Sequence, residues 1–209
     1  MKIGFDIDNV ITSTTKSVLD YINERLPNAN LKMEDITGYY IENFVPDGYK
    51  WIVEQAFSDS ALWKKVELID GAKKYIERLY LEGNDIYFAT ATTPYNFRKK
   101  IKFLERNFPF FPDGYVRNNT ISIKNKQLLN FDILVDDCLS NLDGERPYIS
   151  ICYAYPWNSE PWRRDFDYGN KPFVRCENWN EIYAAIKDFE RENKKKMKKK
   201  VKVNVKKNG

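Results

Sequence analysis

Two aspartates separated by one residue follow an apolar run at the start of the chain. Asp6 and Asp8 come late in the segment MKIGFDIDNV, in which apolar residues alternate with smaller or polar ones, as in Ile3, Phe5 and Ile7. Carboxylates this close repel each other, and a bound cation or a shared proton relieves the repulsion. A strand with an ordinary acidic turn explains the same residues, so the pair needs chemical partners elsewhere in the chain.

Two further apolar segments, DIYFAT and FDILV, read as buried strands and end in groups suited to phosphate chemistry. The first ends at Thr90, followed by Ala91 and Thr92, and the second is followed by Asp136 and Asp137. The carboxyl ends of parallel strands share one edge of a sheet, so we expect these groups to meet the first pair in one crevice. Carboxylate oxygens favour a hard metal ion such as Mg²⁺.

The set is suited to phosphoryl transfer because a phosphate ester is anionic and repels a carboxylate nucleophile. Mg²⁺ held by Asp6 and Asp136 would screen that repulsion, and Lys126, before the third of these strands, would offset further charge. Asp6 is then placed to attack phosphorus, and Asp8 to protonate the leaving oxygen and later deprotonate water. Thr90 and the amides after it would donate to the phosphoryl oxygens.

The composition excludes several other kinds of site. The chain has 209 residues and no histidine, which excludes Ser-His-Asp and Cys-His nucleophilic triads and His-ligated zinc sites. Its three cysteines are widely spaced and form no CxxC pair, which favours a reducing, cytoplasmic setting. No apolar run reaches the roughly 18 residues of a membrane span, and we expect no signal peptide at the N-terminus.

Strand and helix candidates alternate along the chain. This order predicts an α/β fold, a three-layer arrangement in which helices cover both faces of a parallel sheet. Apolar residues recur at helical spacing over 72–82, 94–107 and 179–190, and further short strands are expected over 119–123, 148–153 and 173–176.

Residues 31–68 are rich in aromatic side chains and lack the alternation of a strand. We therefore expect a small helical cap inserted after the first strand. The predicted boundaries are 1–16 and 70–193 for the core domain and 17–69 for the cap. Most of the cap aromatics are expected to form the core of that subdomain, and some could instead reach a ligand.

A basic tail over 194–209 contains nine lysines and no acid. The whole chain carries a formal net charge of +4, which leaves −5 for residues 1–193. We expect the tail to be disordered, with a continuation of the last helix as the alternative. It could make weak contact with nucleic acid or only keep the chain soluble.

The motifs carry a resemblance to the haloacid dehalogenase (HAD) superfamily of phosphatases. Asp6-Ile-Asp8-Asn-Val10 resembles its first motif and Tyr87-Phe88-Ala89-Thr90 its second, while Lys126 resembles the third and Ile133-Leu-Val-Asp136-Asp137 the fourth. The resemblance implies a HAD-like Rossmannoid core, with Asp6 as nucleophile and metal ligand. It also implies that Asp8 is the general acid/base and binds metal through its backbone carbonyl.

A narrower resemblance is to the 5′(3′)-deoxyribonucleotidase family, the cytosolic type C pyrimidine 5′-nucleotidases. It is carried by Leu62-Trp63, Glu67-Leu-Ile-Asp-Gly71-Ala72, the Thr90 to Pro94 segment and Lys126 to Asp137. The resemblance implies a Mg²⁺-dependent nucleoside monophosphatase whose cap aromatics stack on the base of a nucleotide substrate. We expect the chain to be a monomer or a homodimer. Trp63 matches an aromatic-rich position, and Phe44 and Phe57 are further candidates.

Several points stay open at this stage. Thr90-Ala-Thr-Thr-Pro94 is longer than the family's usual Thr-Ser-Pro, so Thr92 competes with Thr90 for phosphate, and Lys124 competes with Lys126. Asp137 either binds the metal or supports a ligand. Cys138 stands where a basic residue is often found. Alternative functions are a phosphatase for a sugar phosphate or a nucleic-acid end, and a non-catalytic nucleotide-binding protein.

Overall fold

One parallel sheet forms the centre of the molecule. The computed structural model describes residues 1–26, 28–59, 61–142, 149–159 and 173–207, without the side chains of 196–207. Within these residues the sheet has the strand order β3-β2-β1-β4-β5-β6. The strands are β1 (Lys2–Asp6), β2 (Asp85–Thr90), β3 (Thr120–Ser122), β4 (Ile133–Asp136), β5 (Ile149–Tyr153) and β6 (Val174–Cys176).

Helices alternate with the strands, which confirms the predicted α/β fold. They are α1 (Thr14–Arg25), α2 (Trp51–Ser58), α3 (Leu62–Lys65), α4 (Ala72–Leu81), α5 (Pro94–Asn107), α6 (Tyr115–Asn118), α7 (Leu139–Leu142) and α8 (Trp179–Lys207). Single 3₁₀ turns lie at Met33–Asp35, Ile41–Asn43, Lys126–Leu128 and Pro156–Asn158. No described helix is both long enough and apolar enough to cross a membrane.

Strand β1 occupies the point where the order of the sheet reverses, between β2 and β4. Ile3 and Phe5 are fully buried, as expected for a central strand covered on both faces. Gly4 lies so close to the ring of Phe131 that a Cβ atom there would come within 2.3 Å of it. Open α/β sheets bind ligands at the carboxyl ends of strands at such a reversal, and here β1 ends in Asp6.

The helical insert leaves the sheet after β1 and returns before β2 through a short paired stem. The amide of Ser13 donates to the carbonyl of Glu67 at 2.9 Å, and the amide of Ile69 donates to the carbonyl of Ile11 at 2.9 Å. Helices α1, α2 and α3 lie between the two sides of this stem. The exact boundary between cap and core stays a prediction.

The C-terminal segment differs from the expected disordered tail. Helix α8 continues to Lys207, which agrees with the alternative of a continued helix. Its first turns are fixed by the buried residues Trp179, Ile182 and Ile186. Extending an existing helix is easier than starting one, and lysine is a good helix former, so the helix propagates. Residues 208–209 of the tail lie outside the described part of the chain.

We predict that Gly4→Ala destabilises the fold. The added methyl group must displace the Phe131 ring, and overpacking of this kind costs about 1–3 kcal/mol. Urea unfolding of both proteins measures the difference. In a Phe131→Leu background the same substitution should cost less, because the two positions touch. An equal loss of free energy in both backgrounds would contradict the close approach.

Candidate active site

Three carboxylates converge at the carboxyl edge of the sheet. Asp6 ends β1, Asp136 ends β4 and Asp137 follows it, and all three are buried. One carboxylate oxygen from each lies within 4.8 Å of the others. Adjacent parallel strands thus bring together residues that are 130 positions apart in the sequence.

Lys126 lies between two of these carboxylates. Its Nζ atom is 2.7 Å from Asp6 Oδ1 and 2.7 Å from Asp136 Oδ2. Burial alone would lower the pKa of the Lys126 ammonium, but the charges of Asp136 and Asp6 outweigh it and raise that pKa. Lys124, the competing candidate, is exposed.

The carboxylate of Asp6 is held through one of its two oxygens. Oδ1 accepts a hydrogen bond from the Ile7 amide at 2.7 Å and also meets the Lys126 ammonium. Neither of these contacts involves Oδ2. Burial raises the pKa of Asp6 to about 7, and Asp136 and Asp8 add to the rise while Lys126 opposes it. The geometry therefore leaves Oδ2 as the oxygen that a ligand can approach.

Asp8 is oriented by three other side chains. Thr14 Oγ1 donates to its Oδ1 at 2.8 Å, while Lys100 Nζ and the Thr90 hydroxyl, the latter at 3.4 Å, contact Oδ2. Burial would raise the pKa of Asp8, but the Lys100 charge and the hydrogen bonds from Lys100 and Thr14 outweigh it and lower that pKa. Asp8 and Asp6 therefore have pKa values shifted in opposite directions.

Lys100 is a charged residue of this site that the motifs do not indicate. Its side chain is buried on α5, and Nζ also contacts Thr90 Oγ1 at 2.7 Å. The available signal was helical spacing, because Lys100 lies three residues after Phe97 and four before the buried Leu104. A lysine on the inward face of a helix needs an acidic partner, and here the partner is Asp8.

The site has more negative than positive charge. The carboxylates of Asp6, Asp8, Asp136 and Asp137 and the ammonium groups of Lys100 and Lys126 sum to −2 when all are ionised. Burial, with the charges of Asp6 and Asp136, raises the pKa of Asp137 well above its usual value, which reflects this excess. A divalent cation would balance the charge, and three clustered carboxylates are the donors that a hard cation prefers.

A cavity of about 270 Å³ opens above the acid cluster. Among the predicted site residues, its walls include Asp6, Asp8, Ala91, Lys126, Asp137 and Phe57. The insert also contributes Tyr39 and Tyr40, which are exposed aromatic side chains. The cavity thus has an acidic floor from the sheet edge and an aromatic wall from the insert.

Two predicted phosphate-binding groups lie outside the cavity lining. Thr90 is fully buried behind Asp8, and its hydroxyl contacts Lys100 and Asp8. Thr92 lies on the neighbouring loop, where its carbonyl accepts a hydrogen bond from Ser122 at 3.4 Å. Ala91, between them, borders the cavity.

Two of the three aromatic residues predicted to contact the base, Trp63 and Phe44, do not line the cavity. Trp63 is buried and packs edge-on against Phe103 with ring centroids 6.0 Å apart, beside the Lys100 ammonium. Phe44 is partly buried against the main core cluster. Trp63 thus fills space between α3 and α5, where a large apolar ring gains from burial. Phe57 alone of the three borders the cavity.

Sequence comparisons find known proteins to which the chain is similar. A family model described as 5′ nucleotidase, deoxy (Pyrimidine), cytosolic type C protein matches residues 1–191. The 5′(3′)-deoxyribonucleotidase of Bacillus subtilis (strain 168) is 25% identical over 189 residues, covering 88% of this chain and 97% of the relative. The protein of the same description from Clostridium acetobutylicum is 26% identical over 190 residues, covering 90% and 97%.

Solved structures show the same fold. A HAD family hydrolase from Deinococcus radiodurans R1 superposes with a TM-score of 0.57 at 14% identity, covering 90% of this chain and 95% of the other. A haloacid dehalogenase-like family protein from Streptococcus pneumoniae has a TM-score of 0.56 at 12% identity, covering 88% and 97%. The HAD-like fold predicted from the motifs is thereby confirmed.

We predict that Lys126→Met strongly destabilises the metal-free protein, whereas Lys124→Met does not. Removing Lys126 leaves Asp6 and Asp136 buried without their shared counter-charge, and breaking a buried ion pair costs about 3–5 kcal/mol. The exposed Lys124 should cost no more than about 0.5 kcal/mol. Urea unfolding in EDTA measures both, and equal losses would contradict the assignment.

Proposed function

The chain belongs to the cytosolic type C 5′ nucleotidase family, and from that premise we propose that it hydrolyses nucleoside monophosphates, deoxyribonucleotides above all, with Mg²⁺ as its metal. It is a phosphoric monoester hydrolase of the 5′-nucleotidase type. Relatives named 5′(3′)-deoxyribonucleotidase support the choice of substrate class.

One observation carries this proposal. Asp6 and Asp8, two residues apart, line the same cavity as the aromatic side chains Tyr39, Tyr40 and Phe57. The carboxylates supply groups for nucleophilic attack and proton transfer, and the aromatic rings supply surfaces on which a nucleobase can stack. The acidic wall of the cavity can therefore face the phosphate of a nucleotide while the aromatic wall contacts its base.

The cavity is small, and its aromatic wall favours a mononucleotide over a sugar phosphate. Its volume of about 270 Å³ is close to the lower limit of about 300 Å³ for small-molecule sites. A sugar phosphate would leave the aromatic wall without a partner. Hydrolysis at a nucleic-acid end stays an alternative, and the lysine-rich tail is the feature that motivates it.

The proposed metal site consists of Asp6, Asp136 and Asp137, whose clustered carboxylates fit a hard divalent cation. Mg²⁺ bound there would screen the negative charge of the phosphate from the nucleophile. Asp8 is outside this group of carboxylates, and its predicted contribution is a backbone carbonyl. Lys126, which borders the same cavity, adds a fixed positive charge next to the attacking carboxylate.

In the first proposed step Asp6 attacks the phosphorus atom. Lys126 and the Ile7 amide hold Oδ1, so Oδ2 forms the new bond to phosphorus. The bond from phosphorus to the nucleoside oxygen breaks, and protonated Asp8 gives its proton to that oxygen. Because Lys100 outweighs burial and lowers the pKa of Asp8, Asp8 must take up this proton when the anionic phosphate ester binds beside it. The products are a nucleoside and an aspartyl-phosphate on Asp6.

In the second proposed step Asp8 acts as a general base. Its carboxylate accepts a proton from a water molecule whose oxygen attacks phosphorus, and the bond between phosphorus and Asp6 breaks. Inorganic phosphate leaves and both carboxylates regain their starting states. Thr14 and Lys100 hold Asp8 throughout, so one side chain can serve both proton transfers.

A cytoplasmic location is part of the proposal. The three cysteines Cys138, Cys152 and Cys176 are free thiols, which suits a reducing compartment. A weak contact of the tail with nucleic acid and the choice between monomer and homodimer stay predictions from the sequence.

We expect the purified full-length chain to release phosphate from nucleoside monophosphates in Mg²⁺ and to lose that activity in EDTA. The panel holds deoxyribo- and ribonucleoside 5′- and 3′-monophosphates, sugar phosphates and a 5′-phosphorylated oligonucleotide, with inorganic phosphate as the readout. Asp6→Asn is the control, and it should keep the circular dichroism spectrum of the wild type while losing turnover. Faster release from sugar phosphates, or turnover by Asp6→Asn, would overturn the proposal.

We expect Asp8→Asn to lower the turnover of nucleoside monophosphates on the order of 100-fold or more, because a general acid/base is lost. p-Nitrophenyl phosphate has a leaving group that departs as an anion, so the first step with this substrate needs no proton from Asp8. Rapid-mixing kinetics should therefore show a burst of p-nitrophenol followed by slow turnover. A burst slowed as much as nucleotide hydrolysis would contradict the role of Asp8.

A further inference from the structure

Asp6 and Asp136 contact Lys126, and Asp8 contacts Lys100. Among the described residues, the Asp137 carboxylate has no hydrogen bond or ion pair with either lysine. Its Oδ2 instead accepts two hydrogen bonds from separate parts of the chain. Asn9 Nδ2 donates at 3.1 Å from the loop after β1, and Trp157 Nε1 donates at 3.2 Å from the turn Pro156–Asn158. Both contacts fall on the same oxygen, which leaves Oδ1 outside them.

The turn Pro156–Asn158, which carries Trp157, also forms a hydrogen bond with the backbone of Asp137. The Nδ2 atom of Asn158 donates to the carbonyl of Asp137 at 2.8 Å and to that of Tyr153 at 2.7 Å. The indole of Trp157 stacks on Tyr155 with ring centroids 4.2 Å apart and planes 4° from parallel. Stacking and backbone contacts together fix the direction of the indole N–H.

Arg175 on β6 anchors this turn to the sheet. Its Nη2 atom donates to the carbonyl of Tyr155 at 3.1 Å and to Oδ1 of Asn158 at 3.1 Å. Trp157 is 5% exposed and Asn158 is 3% exposed, so their hydrogen bonds to Asp137 are shielded from water, whereas Arg175 itself is exposed. Buried hydrogen bonds with all partners in place are rigid, and rigidity is what a metal ligand requires of its neighbours.

We propose that Trp157 is a positioning residue for metal binding. Its indole N–H and the side-chain amide of Asn9 both donate to Oδ2 of Asp137, so that Oδ1 faces the cation. The inference rests on the proposed function, because it takes Asp6, Asp136 and Asp137 as the metal site. It goes beyond the resemblance by assigning a role to a turn that lies outside the four motifs.

The experiment measures Mg²⁺ affinity of the full-length protein by isothermal titration calorimetry. Removing a group that orients a metal ligand typically weakens affinity 10–100-fold, so Trp157→Phe should raise the Kd for Mg²⁺ by about that factor. Trp51→Phe is the matched control. Trp51 is 57% exposed on α2 and donates only to the Gly48 carbonyl among the described contacts, so its Kd should equal that of the wild type.

A second variant keeps the inference testable if Trp157→Phe does not fold. Arg175→Met loosens the turn from a distance and should raise the Kd for Mg²⁺ in the same direction by a smaller factor. Thermal unfolding in EDTA checks both variants, and Trp157→Phe should lose more of the Mg²⁺-induced rise in Tm than Trp51→Phe. At saturating Mg²⁺ the kcat of Trp157→Phe should approach that of the wild type.

The outcomes separate this inference from the proposed function. A folded Trp157→Phe that binds Mg²⁺ as tightly as the wild type overturns the inference, as does a wild type that binds no Mg²⁺. A lowered kcat with unchanged Mg²⁺ affinity also overturns it, since Trp157 would then act on the substrate. Weakened Mg²⁺ binding in a protein that hydrolyses no nucleotide supports the inference and overturns the proposed function.

Discussion

The attraction between one buried ammonium group and two buried carboxylates allows the acidic edge of this sheet to exist. Lys126 lies 2.7 Å from both Asp6 and Asp136, at the ends of neighbouring strands. Without a counter-charge, carboxylates buried this closely would destabilise the fold or take up protons. The compensation is incomplete, and the remaining negative charge makes the site receptive to a cation. Stability and chemistry therefore depend on the same contacts.

The acidic edge of the sheet was predictable because the apolar strands and the polar residues at their ends are visible in local sequence. DIYFAT was predicted over the residues that form β2, and β4 begins two residues later and ends one residue later than the predicted strand FDILV. Once three apolar segments are read as parallel strands, their polar ends must share one edge. The sequence left Lys124 as a competitor of Lys126, and in the structure Lys126 is buried whereas Lys124 is exposed.

Other features depend on packing between distant segments, which the sequence does not display. Lys100 belongs to a helix whose pattern reads as ordinary, and its contact with Asp8 requires knowing how α5 docks on the sheet. Trp63 was expected at the base but fills the space beside Phe103. The contact between Trp157 and Asp137 joins residues 20 positions apart and has no motif of its own.

The stem of the insert separates the aromatic wall of the cavity from the acidic edge of the sheet. Two backbone hydrogen bonds, from Ser13 to Glu67 and from Ile69 to Ile11, bring the start and end of the excursion together beside the sheet. Closing a loop becomes only slowly more difficult as the loop lengthens, so residues can be gained or lost in the loops between the helices of the insert at little thermodynamic penalty. Changes in the insert can thus alter ligand preference without altering the strand ends. One hydrolytic scaffold can in this way give rise to many selectivities.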